Sequence, residues 1–227
     1  MLCFYILFTL FRMNVIKKIA RKFTFSSGLL ETYFLSKKYL KPKGWLLSRY
    51  LYQPVKSDGQ PIPWVTYASL HFINQKLANT SFKVFEYGSG NSTLWFSERV
   101  QHIVSVEHDI TYYNIVKSKL QSRTNVTYIL ANVEDNYSKK VLDYKNEFDI
   151  IIIDGRERIA CTKNSLQALN EKGIIIWDNS DREKYQEAYD FLMAAGFKKI
   201  DFRGLGPIGH IEWQTSVFYR SDNCFSI

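Results

Sequence analysis

Cysteine is scarce in this chain of 227 residues, where only Cys3, Cys161 and Cys224 occur. They are odd in number, far apart in sequence and form no C-x-x-C pair, which excludes a disulfide framework and a thiolate zinc site. A reducing, cytoplasmic compartment is therefore expected. A membrane-spanning run is also lacking. Residues 1–11 are almost wholly apolar, but a transmembrane helix needs about 20 such residues. This run has neither a basic segment before it nor a small-residue cleavage site after it, so it does not read as a secretory signal. Two readings stand: translation begins at Met13, or the apolar run and the basic patch behind it seat the chain on a membrane surface. Repeats and low-complexity tracts are absent too. The chain has five prolines, and Pro54, Pro61 and Pro63 fall close together, which marks a linker.

Acidic residues are missing from one end. Residues 1–60 carry eleven lysines and arginines against Glu31 and Asp58, a net charge of +9. The whole chain is +8, so residues 61–227 come to −1. This division suggests a basic, mainly helical extension over 1–60 and a separate domain over 61–227. The arm suits anionic lipid, an acidic glycan or nucleic acid, and equally a solvated helical face. Peripheral membrane contact through residues 1–49 is one expectation. Nucleic acid is disfavoured, because the arm lacks the mixed aromatic and basic platform of an RNA-binding module.

Apolar material is plentiful at 46%, including 15 Tyr, 16 Phe and 5 Trp, enough for one large core. Strand-like runs are expected at 83–87, 103–107, 126–130, 148–154, 173–178, 197–202 and 213–219. Helical patterns are expected at 65–77, 92–100, 111–120, 160–170 and 182–195, with Ser180 and Asp181 as candidate caps of the last. Alternating strands and helices specify an α/β fold around a mostly parallel sheet. The last two strands are joined by about ten residues rich in glycine and holding Pro207. A parallel crossover needs about a dozen or more, so the last strand should run antiparallel.

Open α/β sheets bind ligands beyond the carboxyl ends of their strands. Gly88, Ser89 and Gly90 follow the first strand, where absent side chains admit a close ligand. The helix beginning near Ser92 and Thr93 offers free N–H groups. Glu107 ends the second strand, 19 residues after Gly88, and a carboxylate there can accept the hydroxyls of a ribose. A nicotinamide dinucleotide would use the same features. Against it stand Thr93, where the G-x-G-x-x-G fingerprint has its third glycine, and the antiparallel last strand. An NAD-type oxidoreductase remains an alternative.

Three further side chains should meet at one rim: Asp154 after the fourth strand, and Asp178 and Asn179 after the fifth. Three oxygen donors suit a hard cation such as Mg²⁺, which would acidify an acceptor hydroxyl. Arg156 and Arg158 could hold an anionic substrate, or pair with Asp154 and Asp178 and displace the metal. His210, in the glycine-rich loop on the same side, is a candidate general base, while a lone loop histidine is also ordinary surface. Trp64, Thr66 and Tyr67 could cover the pocket, or pack an appended helix onto the sheet.

The segments Phe85-Glu86-Tyr87-Gly88-Ser89-Gly90, Val104-Ser105-Val106-Glu107-His108 and Asp149 to Gly155 resemble the motifs of class I S-adenosylmethionine-dependent methyltransferases, over about residues 82–220. The resemblance implies a Rossmann-like seven-stranded sheet. It also implies S-adenosylmethionine bound by Glu86, Gly88, Ser89, Gly90, Ser92, Thr93, Glu107, His108 and Asp154, with Asn132 and Val133 placed near the adenine. The acidic rim is similar to that of catechol O-methyltransferase, although the two arginines depart from its text. The implied activity is O-methylation of a small-molecule or glycan hydroxyl, with Asp154, Asp178 and His210 as candidate catalytic groups and magnesium as a candidate aid. The alternative is a binding protein of the same fold without turnover, favoured if arginines tie up Asp154 and Asp178.

Overall fold

The computed structural model describes residues 28–78 and 81–227. The apolar run at 1–11, Met13 and five of the ten basic residues expected to meet a membrane (Arg12, Lys17, Lys18, Arg21 and Lys22) lie outside the described residues. No helix among the described residues is long and apolar enough to cross a membrane.

Seven strands form one sheet: β1 (Lys83–Tyr87), β2 (His102–Glu107), β3 (Val126–Leu130), β4 (Phe148–Ile153), β5 (Leu169–Asp178), β6 (Lys198–Gly204) and β7 (Trp213–Tyr219). Their order is β3-β2-β1-β4-β5-β7-β6. β1 to β5 pair in parallel, and β7 runs antiparallel to both β5 and β6, as the short last connection requires. The run of four isoleucines in β4 shows why the sheet is central. Ile151 and Ile153 join one apolar cluster, and Ile150 and Ile152 join the other. Side chains alternate across a strand, so a strand apolar at every position must be covered on both faces.

The helices are α1 (Leu29–Leu35), α2 (Trp45–Leu51), α3 (Tyr67–Lys76), α4 (Asn91–Ser97), α5 (Ile110–Leu120), α6 (Arg158–Ala168) and α7 (Gln186–Ala194). A π-helical turn, Ser36–Leu40, prolongs α1. α5 starts where Asp109 caps it, its side chain accepting from Tyr112 N at 2.8 Å.

Two local expectations are corrected. β5 begins at Leu169, four residues before Gly173, and its register to β4 shifts between Phe148 and Ile150. The polar residues Asn170, Glu171 and Lys172 hide this extension, since they alternate with nothing apolar. Ser180 and Asp181 do not cap α7. A 3₁₀ turn (Glu183–Tyr185) intervenes, and the Ser180 hydroxyl instead lies 2.5 Å from that of Ser216 on β7.

The described part of the extension packs on the domain. Trp45 Nε1 donates to Gly209 O at 2.7 Å, and Arg49 Nη1 donates to Ile208 O at 2.7 Å. Both acceptors lie in the β6–β7 loop. Gly44, at φ 80°, lets α2 start against the loop after it, because a Cβ would run into the Val55 carbonyl. Strand order turns back between β1 and β4, and a crevice forms there beyond the carboxyl ends.

Candidate cofactor and acceptor site

β1 leaves the sheet at Gly88. Its φ is 89°, and a Cβ would sit 2.8 Å from Asp154 O, so the turn needs glycine on both counts. The next residue reaches across to β2. Ser89 Oγ donates to Glu107 Oε2 at 2.8 Å and Ser89 N donates to the same oxygen at 3.2 Å. The other oxygen, Oε1, accepts from His108 N at 2.8 Å and Asp109 N at 2.9 Å. Glu107 is thereby fixed, and one of its donors is a hydroxyl belonging to a residue that lines the cleft. Glu107 itself is 4% exposed and, like Glu86, is not among the residues lining the cleft, so a ribose would meet it only in place of the Ser89 hydroxyl.

His108 supports this arrangement. Its Nε2 accepts from Arg156 Nε at 3.3 Å, which leaves the proton on Nδ1. Nδ1 lies 2.8 Å from Glu107 Oε1 but is not aligned for a hydrogen bond.

Glu86 and Thr93 take a different place from the one the resemblance implies. Both are buried beneath the glycine turn and do not line the cleft. Thr93 Oγ1 donates to Glu86 Oε2 at 2.5 Å, and Ser105 Oγ donates to it at 2.7 Å. Thr93 Oγ1 also accepts from Gly90 N at 3.1 Å. The pair therefore holds the loop from below. Burial pushes the Glu86 carboxyl up from 4.5 to about 7, against the pull of Ser92, Thr93 and Ser105, with Asp154 adding to the rise.

β4 and β5 are adjacent, with Ile153 opposite Trp177, so Asp154 and Asp178 emerge side by side. A buried guanidinium lies against them. Arg158 Nη2 donates to Asp154 Oδ1 at 2.9 Å, Nε donates to Gly155 O at 3.0 Å, and Nη1 donates to the main-chain oxygen of Asp178. Of the two roles open to Arg158, the structure shows the network; the residue is 8% exposed and not free for a substrate. The Asp178 carboxyl is held differently. Its Oδ1 accepts from Thr215 Oγ1 at 2.6 Å and Trp213 Nε1 at 2.9 Å. Burial, then the charge of Asp154, pushes Asp178 up to about 7. Burial raises Asp154 as well, and the charge and hydrogen bond of Arg158 oppose it.

These residues do not fit a magnesium site. The candidate donors are two carboxylates and one amide, and among the described residues no third His, Cys, Asp or Glu joins the two carboxylates. A cation also already occupies Asp154, and a divalent ion would have to sit against it. Asn179 lies at the rim in the left-handed region, φ 53°.

A cleft of about 940 Å³ joins the parts, lined by Ser89, Gly90, Ser92, Asp154, Asp178 and Asn179 on the sheet side. Trp64, 40% exposed, lines it as well, whereas Thr66 and Tyr67 pack the extension: Thr66 N donates to Thr215 Oγ1 at 3.1 Å. His210 is exposed, outside the cleft lining, with Nδ1 3.4 Å from Arg49 Nη1. It is not brought to the acidic pair, because the β6–β7 loop turns it toward α2. Asn132 and Val133 follow β3 and are not in the cleft wall; Asn132 Oδ1 accepts from Glu134 N at 3.2 Å. The sequence reading passed over Tyr112, Trp213 and Tyr52. Tyr112 stands on the first turn of α5, five residues after Glu107, and that spacing was the available signal. Trp213 reaches Asp178 only through the antiparallel pairing of β7 with β5, which no local pattern announces.

Residues 85–180 match a family model described as a methyltransferase domain. A search of curated proteins gave no match. Among solved structures the chain is similar to precorrin-6y C5,15-methyltransferase from Geobacter metallireducens, at 14% identity and TM-score 0.53, covering 66% of this chain and 86% of that one. It is also similar to an O-methyltransferase from Klebsiella pneumoniae, at 17% identity and TM-score 0.51, covering 65% and 80%. Spermidine synthase from Thermotoga maritima aligns at 19% identity and TM-score 0.50, covering 65% of this chain and 56% of its own. At these identities the structural likeness is one of fold. Residues 85–180, less than half of the chain, match that methyltransferase-domain model, and the sheet order is that of a Rossmann-like methyltransferase fold.

Proposed function

We propose that the chain methylates a hydroxyl of a small-molecule or glycan acceptor from S-adenosylmethionine, without a metal, and that Asp178 takes the acceptor's proton. The observation that carries this reading is the state of Asp178. Its carboxyl lines the cleft, two neutral donors hold one oxygen, and no arginine touches its side chain. A base works best when its pKa lies near the working pH, and that of Asp178 is about 7. S-adenosylmethionine, when bound, supplies an electrophilic methyl group. The chain's own work is to hold the ribose hydroxyls at Glu107, to admit the nucleoside past Gly88 and Gly90, and to leave Asp178 Oδ2 for the hydroxyl.

The reading without turnover draws on one contact, since Arg158 does tie up Asp154. It loses force because the arginine meets Asp178 only at the main chain.

Calorimetry on the full chain tests the cofactor. S-adenosylmethionine should bind saturably, and Glu107→Ala should weaken it about 10-fold or more, the worth of charge-assisted hydrogen bonds. Asp178→Asn should keep that affinity within about threefold, while methyl transfer in a screen of hydroxylated acceptors falls by about 10²–10⁴, the usual contribution of a general base. A folded protein that binds NAD and ignores S-adenosylmethionine would sink the proposal. Full turnover by Asp178→Asn would remove Asp178 from its role.

A further inference from the structure

A second hollow of about 590 Å³ lies between the start of α6 and the 3₁₀ turn before α7. Its charge is one-sided. Arg156, Arg158, Lys163, Arg182 and Lys184 line it, and Glu157 is the one acid among its lining residues. This concentration stands in a domain whose net charge over 61–227 is −1, so it does not follow from general basicity.

The cations are not equally committed. Arg158 is bound to Asp154, and Lys163 to Glu187 at 2.5 Å. Arg156 gives its Nε to His108 Nε2 at 3.3 Å. Arg182 and Lys184 form no salt bridge among the described residues, although the charge of Arg182 helps to lower Asp154; Lys184 lies over the Tyr185 ring, 5.0 Å from its centre. Cations gathered in one hollow repel one another unless an anion neutralises them. Arg182 also lines the larger cleft, beside Asp178 and Asn179. The two hollows therefore share Arg182 as a lining residue, and a guanidinium can take two oxygens of one anion.

We propose that this hollow is an oxyanion site and that the acceptor carries a phosphate, sulfate or carboxylate group which seats there on Arg182 and Lys184. An anion held at Arg182 leaves the body of the acceptor over the acidic pair, so the site selects hydroxylated acceptors that bear a nearby negative charge. The acceptor role rests on the methyl-transfer reading above. The oxyanion site stands on the hollow itself.

The test uses the full-length protein and inorganic phosphate as probe, followed by glucose 6-phosphate with glucose as its uncharged control. Titration calorimetry should show saturable binding of phosphate and of glucose 6-phosphate, with glucose far weaker. Arg182→Gln combined with Lys184→Gln should weaken both anions about 10-fold or more, the loss of charge-assisted contacts. Glu157→Gln, which removes the acid at the lip, should strengthen both. Added salt should weaken binding in the wild type more than in the double variant. S-adenosylmethionine binding is measured on the same samples, and thermal melting that matches the wild type shows that both the double variant and Glu157→Gln are folded. Absence of saturable phosphate binding by the wild type, or equal binding by the double variant, would overturn the proposal. Loss of S-adenosylmethionine binding throughout, with phosphate binding intact, would overturn the methyl-transfer reading and leave the oxyanion site in place.

Discussion

Replacing Glu86 with glutamine should stabilise the protein at alkaline pH and leave it little changed near pH 5. The carboxyl is 1% exposed and both hydroxyl donors converge on one oxygen. Burial raises its pKa from 4.5 to about 7. An acid whose folded pKa is raised binds more protons in the folded state between those two values. Stability is therefore greatest below the unfolded pKa, falls as pH rises through the window, and levels off above the folded pKa. One pKa unit is worth about 1.4 kcal/mol, so Glu86 removes about 2–3 kcal/mol between pH 5 and pH 8. Glutamine keeps the shape, and its amide oxygen can accept from Thr93 and Ser105 without ionising. Urea denaturation followed by tryptophan fluorescence at pH 5, 6, 7 and 8 measures the difference. The gap between Glu86→Gln and wild type should open by about 2–3 kcal/mol over that range, or about 4–12 °C in Tm for a domain of this size. Asp178, also raised to about 7, acts in the same direction and should leave a residual slope in the single variant. Adding Asp178→Asn should flatten it further. Glu98 is lowered, chiefly by Arg123, so its contribution is lost on the acid side and opposes no part of this trend. If the gap between variant and wild type is constant with pH, Glu86 ionises normally and the account of its burial is refuted.

Three further outcomes follow from the same geometry. Arg158→Met should cost about 3–5 kcal/mol in chemical denaturation at pH 8, because it strands Asp154 without its buried partner, and the cost should shrink at low pH where Asp154 protonates; a loss under 1 kcal/mol would show the guanidinium to be dispensable. Gly88→Ala should cost about 2–4 kcal/mol, combining a left-handed backbone with a Cβ forced against the Asp154 carbonyl, and should abolish S-adenosylmethionine binding; unchanged calorimetry would contradict the turn assigned to Gly88. Trp64→Ala should change stability by less than about 1 kcal/mol, as befits a partly exposed side chain, while raising KM for the acceptor and sparing cofactor affinity; an effect on the cofactor alone would move Trp64 to the other end of the cleft.

The strands were legible because burial on both faces leaves a mark. A run such as Ile150 to Ile153 suits a central parallel strand; the glycines follow at the carboxyl end of its neighbour β1, and Glu107 ends β2, one strand further out. The short, glycine-rich connection before Trp213 settled the direction of β7 by length alone. Charge counting separated a basic arm from a nearly neutral domain. Spacing could not tell which polar groups face a ligand and which face each other. Glu86 and Thr93 read as cofactor contacts, yet side chains alternate along β1 and the first turn of α4 points inward, so they meet beneath the loop. Arg158 stood open between a substrate and the acidic pair, and the start of α6 carries it under Asp154. His210 sat on the right side of the sheet, and the docking of α2 on its loop drew it out of the cleft. Sequence determined the strands, the direction of the last one and the edge at which chemistry occurs, because these depend on periodicity and chain length. Only the tertiary structure decided which charges are neutralised and which remain for a ligand, because that depends on partners brought together from distant segments, as Trp213 and Thr215 are brought to Asp178.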